Sequence, residues 1–425
     1  MTTEVIAAAL DLAAYVREGD TVVCGQACAE PLTLTEALAR RRAAIGRCRV
    51  FLGPSFSGTF RPEHGDHIAF TGYGGSGRNQ DLARAGLLDV VPSHYSELPG
   101  LFADGTLRAD VALLLLSPRG AGGRYNMGLA NDYQVEAARR ARMVIAEIND
   151  QVPSVPGAEL PEDVRLDVVV LTSRPPVMLP PAKLGEVERR IAAHVAPLVP
   201  EGATIELGIG ALPDAILAAL HHHRDLGIHS GMIGDGVVDL AEAGALTNAR
   251  KPIDRGVTIA GLLFGTKRLF DFAHLSKELR LMPPAYTHGA EILRRLPRFI
   301  AINSAVEADI TGQVNGEMAN GVYLGAVGGQ VDFMRAAAAS PGGRSIIALP
   351  ATAKGGAVSR IVARFADGVT TSLRSDMDVI VTEFGVAELR GRSLAERARR
   401  MIAIAAPEFR EALERAAYAI LRAGA

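Results

Sequence analysis

Glu317 is the only acid in the glycine-rich run from Gly312 to Gly329. The wider stretch Ile310 to Phe333, ITGQVNGEMANGVYLGAVGGQVDF, holds six glycines, four amide side chains and a second acid, Asp332, which falls in the helix predicted to follow. A lone carboxylate beside backbone N–H donors is a candidate nucleophile or general base. The backbone N–H groups of Gly328 and Gly329, just ahead of a helix, are of the kind that line an oxyanion hole or hold a phosphate. Asn315 and Asn320 flank Glu317 and are placed to orient its carboxylate. The structural alternative is a carboxylate that pins the loop by accepting from backbone N–H groups. Glu97 and Glu383, at predicted strand ends, are rival acids.

Gly208-Ile209-Gly210 follows the strand predicted over Ala203 to Leu207 and precedes Pro213 and a helical run, Asp214 to Leu220. A glycine turn between strand and helix exposes backbone N–H groups and the positive end of a helix dipole, which suits a phosphate, a carboxylate or a developing oxyanion. A second strand, Leu226 to His229, runs into Ser230-Gly231-Met232 and the helix Val237 to Glu242. Two such units in succession predict neighbouring parallel strands with both turns at one sheet edge, where ligands usually sit. Lys354, in the loop Ala348 to Gly356, fits an anionic ligand or is simply solvated.

Other patterns weigh less. Gly72-Tyr73-Gly74-Gly75-Ser76-Gly77 follows a strand and matches G-x-G-x-x-G, but no second strand ends in an acid about 20 positions on, so a dinucleotide site is not expected. A glycine loop or a backbone wall beside a substrate fits it better. His64 and His67, and the run His221-His222-His223, lack further ligands at a zinc spacing, and no metal is expected. Neither a G-x-S-x-G elbow nor a Walker A motif occurs. Cys24, Cys28 and Cys48 read as buried thiols in a reducing compartment.

These residues need a scaffold of alternating strands and helices, and 425 residues with 48% hydrophobic content supply one. Strands are predicted at Thr21–Cys24, Arg49–Leu52, Ile68–Thr71, Leu88–Pro92, Val111–Leu116, Met143–Ile148 and Val164–Leu171. A helix over Leu32 to Ala44 lies among them, and an amphipathic helix over Thr3 to Arg17 precedes them. The apolar runs at 111–116 and 143–148 suit central strands buried on both faces. The second half repeats the alternation, with strands at Val257–Leu263, Phe299–Val306, Ser345–Leu349 and Val379–Glu383. Its helices are predicted at Leu184–Val195, Thr266–Ala273, Ala290–Leu296, Val331–Ala338, Leu394–Ala403 and Phe409–Ala423. The prolines from Pro175 to Ala182 mark the domain boundary. Residues 1–178 and 179–425 are thus expected as two α/β domains with mostly parallel sheets. Lys plus Arg at 45 against Asp plus Glu at 47 leaves no basic surplus for nucleic acid or an anionic membrane. No apolar run of about 18 residues predicts a membrane span, and no signal peptide is evident.

Six segments together resemble the acetyl-CoA hydrolase/transferase family, which includes 4-hydroxybutyrate and acetate CoA-transferases. They are GIGALPDAI, LGIHSGMIGDGVVDLAEAGALTN, AINSAVEADITGQVN, GAVGGQVDF, IIALPATA with SRIV, and VTEFGVAELRGRSLAERA. The resemblance spans nearly the whole chain. It implies two similar domains of the CoA-transferase (NagB/RpiA-like) fold in a cytoplasmic homodimer. It implies acyl-CoA and a small carboxylic acid as partners, with no permanently bound cofactor. It implies coenzyme A held by Gly208, Ile209, Gly210, Ala211 and Leu212, by Gly328 and Gly329, and by Lys354. It further implies a glutamate that attacks an acyl-CoA thioester and carries CoA to a second acid. The family's glutamate lies in a His-Thr/Ser-Glu-Met segment, which here is His229-Ser230-Gly231-Met232. Glycine cannot perform that chemistry. Three readings stay open: Glu317 has taken over, with Gly231 leaving room for its carboxylate; the enzyme hydrolyses or transfers without a glutamyl-CoA intermediate; or the protein binds acyl-CoA without turnover.

Overall fold

The computed structural model describes residues 2–120, 122–366 and 368–422. They form two units: Met1–Pro180 with Ile259–Thr287 and Val322–Gly328, and Pro181–Thr258 with His288–Gly321 and Gly329–Ala425. Against the expected cut after residue 178, the first unit therefore takes back two later segments.

The first unit is built on eight strands: β1 (Thr3–Ile6), β2 (Thr21–Cys24), β3 (Cys48–Leu52), β4 (Ile68–Gly72), β5 (Leu88–Val90), β6 (Val111–Leu116), β7 (Met143–Asn149) and β8 (Val168–Thr172). Their order is β1-β8-β7-β6-β2-β3-β4-β5, and every pairing is parallel. The uniformly apolar β6, VALLLL, is buried along its whole length, as a central parallel strand must be. Val22, Val50, Phe70, Val111, Ile145 and Val170 join Leu34 and Leu38 of the helix Leu32–Ile45 in one core. The helix expected over 3–17 is not formed. Thr3–Ile6 instead extends the sheet beside β8, and short 3-10 turns follow at Ala7–Ala9 and Leu12–Ala14. Thr3, Val5 and Ile6 are β-branched, and the open edge of β8 offers backbone partners that local helix propensity cannot outbid.

The second unit holds a six-stranded sheet. β9 (Thr204–Leu207) lies between β10 (Gly227–Ile228) and the strand Phe299–Ser304, followed by Arg344–Ala348, Val379–Thr382 and Gly385–Glu388. Only the last pairing is antiparallel, a hairpin that sequence alternation did not disclose. Gly227 sits opposite Thr204 and Ile228 opposite Ile205, so β9 and β10 are the expected parallel neighbours. Both end at the same sheet edge, where their glycine turns begin. Helices Glu186–Val195, Ala211–Ala219, Asp235–Glu242, Gln330–Ala339, Leu394–Ala403 and Pro407–Arg422 flank this sheet in sequence. The end of the helix predicted to reach Ala423 lies outside the described residues. Among the described residues, no helix is long and apolar enough to cross a membrane.

Candidate functional site

Gly208, Ile209 and Gly210 leave the end of β9 half-buried, and the helix Ala211–Ala219 starts at once. Gly210 has φ 112°, a conformation open to glycine and strained for other residues. A methyl group on Gly208 or Gly210 would meet no atom within 4 Å, so open space surrounds this turn. Leu212 turns inward and is buried. Burial raises the basicity of Asp214 in the first turn, with Asp235 and Asp239 adding to it.

The second turn is tied to the first. His229 N–H donates to Ile205 O at 3.1 Å, and Ser230 Oγ donates to Leu207 O at 3.0 Å, one residue before Gly208. His229 and Ser230 are fully buried. Gly231 follows, and no room for a carboxylate remains beside it. A methyl group there would lie 2.9 Å from Cε1 and 3.0 Å from Nε2 of His288. The expected vacancy is filled by an imidazole. His288 is itself buried, and its ring lies 4.5 Å from that of Phe333, on the helix Gln330–Ala339. Burial, with the nearby His229, pushes the imidazole down to about 3, so it is neutral. A methyl group on Gly329, which caps that helix, would come within 2.5 Å of the same Nε2. Gly328 belongs to the first unit, where its carbonyl accepts from Tyr95 N–H at 3.0 Å.

Glu317 lies near the start of the same helix. Its residue is 4% exposed, and Oε1 accepts from Thr371 Oγ1 at 2.7 Å. The Thr371 hydroxyl in turn accepts from Gly316 N–H at 2.8 Å. Oε2 has no hydrogen-bond partner among the described residues. Gly316 also faces Gln330, whose amide donates to Ser372 Oγ at 2.7 Å. His288 thus lies against both Gly231 and Gly329, and Gly316, next to Glu317, faces Gln330 at the start of the same helix. Among the described residues the carboxylate accepts from no backbone N–H group directly; it is tied to its loop through the Thr371 hydroxyl, which itself accepts from Gly316 N–H. The amides do not orient it either. Asn315 Oδ1 accepts from the backbone N–H groups of Glu317 and Met318, and Asn320 is exposed at a turn with φ 53°. Thr371, 54 residues away, does the holding; nothing in a single chain signals that pairing.

The remaining candidates disperse. Lys354 is exposed, with φ 50°, in the turn joining the paired strands Thr352–Ala353 and Val358–Ser359; it has no side-chain partner among the described residues. Glu383 is buried with Oε2 accepting from Ala351 N–H at 2.8 Å. Glu97 is exposed at the start of the helix Leu98–Ala103, near Ser93 Oγ. His64 Nδ1 accepts from Arg61 N–H in its own turn, and His223 Nε2 lies 3.0 Å from Val199 O. The Gly72–Gly77 loop packs on its own unit: Gly75 N–H donates to Gly325 O at 2.8 Å.

Reading for motifs missed a further acid. Glu206, on β9 two residues before Gly208, is buried and accepts from Asn303 Nδ2 at 2.9 Å. Burial pushes its carboxyl up to about 8, so it is protonated at neutral pH. The signal was present in the sequence as an acid within an otherwise apolar strand.

Residues 3–170 match the acetyl-CoA hydrolase/transferase N-terminal domain, and residues 265–417 match the corresponding C-terminal domain. The 4-hydroxybutyrate coenzyme A transferase of Clostridium kluyveri is 40% identical over 400 residues, covering 92% of each chain. The crystal structure of RipA from Yersinia pestis superposes with a TM-score of 0.91 at 33% identity, over 98% of this chain and 97% of that one. A 4-hydroxybutyrate CoA-transferase from Porphyromonas gingivalis gives 0.82, also at 33% identity, over 97% and 96%.

Proposed function

This chain belongs to the acetyl-CoA hydrolase/transferase family, and on that premise we propose that it transfers coenzyme A from a short-chain acyl-CoA such as acetyl-CoA to a small carboxylic acid. Coenzyme A comes and goes as substrate, with no permanent cofactor. Gly208 to Leu212, Gly328, Gly329 and Lys354 hold it, and the protein works as a cytoplasmic homodimer. The named activity of the full-length relative supports transfer, and the observation that carries the catalytic assignment is Glu317. Thr371 fixes one of its oxygens at 2.7 Å, and the other has no partner among the described residues. A carboxylate held by one oxygen is oriented for attack through the other. It adds to the thioester carbonyl, the oxyanion collapses, and CoA thiolate leaves an acyl–glutamyl anhydride. The thiolate then attacks the glutamyl carbonyl, releasing the first acid and leaving glutamyl-CoA. The second acid reverses both steps. Tethering by the long CoA moiety supplies binding energy for positioning.

Gly231 favours one alternative, direct hydrolysis, which needs no carboxylate at that turn. Free thiol and new acyl-CoA are followed with acetyl-CoA in the presence and absence of propionate. Transfer predicts propionyl-CoA that forms only with the acceptor. Thiol release that ignores propionate means hydrolysis, and no product in either assay leaves a binding protein.

A further inference from the structure

Two glycines that lie far apart in sequence make room for the same atom. A side chain at Gly231 would strike His288 Cε1 and Nε2 at 2.9 and 3.0 Å, and one at Gly329 would strike Nε2 and Cδ2 at 2.5 and 2.8 Å. The tip of the imidazole is thus wedged between the turn after β10 and Gly329, the residue that caps the helix Gln330–Ala339. Phe333 lies beside its ring and would also sit 3.1 Å from a methyl group on Gly329, which limits how the ring tilts.

Resting on the reading that acyl-CoA is turned over in this unit, we propose that His288 is a catalytic residue. Its neutral imidazole donates the Nε2–H hydrogen bond to the thioester carbonyl oxygen and stabilises the oxyanion that forms there. The Gly231 turn therefore supplies space for an electrophile in place of a nucleophile. As the carboxylate oxygen bonds to the carbonyl carbon, the C=O π pair moves to oxygen and is held by Nε2–H; on collapse that pair re-forms C=O and the C–S bond leaves with the thiolate. His288 keeps its proton throughout. Any bond that Nε2 holds in the ligand-free chain is exchanged for the carbonyl oxygen. A neutral imidazole suits this task because it donates without first surrendering a proton to the medium. Burial keeps it in that form across the working range.

The test uses side chains that place an amide at one nitrogen or the other. Gln carries its amide nitrogen near the Nε2 position, and Asn near Nδ1. His288→Gln is expected to keep kcat for acetyl-CoA with propionate within about tenfold, whereas His288→Asn loses about 10²- to 10³-fold, as removal of one oxyanion donor does elsewhere. KM stays within a few-fold in both. Infrared difference spectra of carbonyl-labelled acetyl-CoA bound to the wild-type chain should show the thioester band at lower frequency than in water, and the shift should vanish in His288→Asn. An unshifted band in the wild type, or an Asn variant as active as the Gln variant, overturns the role of His288. Calorimetry on the same samples separates the two levels: failure of wild type to bind acetyl-CoA at millimolar concentration overturns both this inference and the function it rests on.

Discussion

Two glycine-rich turns leave the carboxyl ends of parallel strands, one in each unit, and they use glycine for opposite reasons. After β4, a methyl group on Gly74 would lie 2.4 Å from Ala326 Cβ, and one on Gly75 would lie 2.2 Å from Tyr323 O. Those glycines let backbone meet backbone within the first unit. After β9, Gly208 and Gly210 have nothing within 4 Å of where a side chain would begin. A turn with exposed N–H groups and empty surroundings is available to a ligand; a turn pressed against its own chain is not. The motif that matched a dinucleotide fingerprint is thus packing, and the shorter one is the candidate site.

The comparison breaks most sharply at Gly75. Gly75→Ala is expected to cost about 3 kcal/mol, because the clash is with backbone that cannot step aside. Denaturant unfolding measures this; a wild-type midpoint would mean that the two turns are alike after all. Beneath the second turn, Glu206 makes stability depend on pH. Its folded value of about 8 lies above its ordinary value of 4.5. The native state therefore keeps a proton that the unfolded chain has released. This contribution is fully present below about pH 4.5 and is lost as pH rises through about 8. Glu206→Gln is expected to flatten that decline, by as much as a few kcal/mol over the whole window. Melting curves at pH 5, 7 and 9 check the sign, and an unchanged slope would refute it. The smallest effect on the fold belongs to Gly208→Ala. Stability should stay within about 0.5 kcal/mol, while acetyl-CoA binds about tenfold more weakly because the methyl group enters ligand space. Calorimetry showing wild-type affinity would remove the second turn from the site.

Most of the scaffold was legible because the central strands announce themselves. Val111–Leu116 is apolar throughout and Met143–Ala146 opens the neighbouring strand in the same way, a pattern that suits a sheet covered on both faces. The neighbouring turns at Gly208 and Gly231 followed from two strand–turn–helix signals in a row. Thr3–Ile6 was misread because so short a segment satisfies either period, and the pairing with β8 that decides the matter lies more than 160 residues away. The site was legible only in part, for the same reason. Glu317 stands out as a lone acid among glycines, whereas Thr371, which positions it, and His288, which fills the space at Gly231, are brought in by tertiary structure alone. Asn315 illustrates the limit of proximity in sequence: it sits two residues from Glu317 and binds its backbone, leaving the carboxylate to a distant hydroxyl.

The central claim is that a chain with glycine at residue 231 transfers CoA through Glu317. Incubation with acetyl-CoA followed by borohydride, which reduces a glutamyl-CoA thioester, and by peptide mass spectrometry tests it at the residue concerned. The expected result is a reduced side chain at Glu317 that is absent when hydroxylamine is added before borohydride and absent in Glu317→Gln, whose turnover falls by about 10³-fold or more. An unmodified Glu317 in a chain that forms propionyl-CoA from acetyl-CoA and propionate, or full activity in Glu317→Gln, would contradict it.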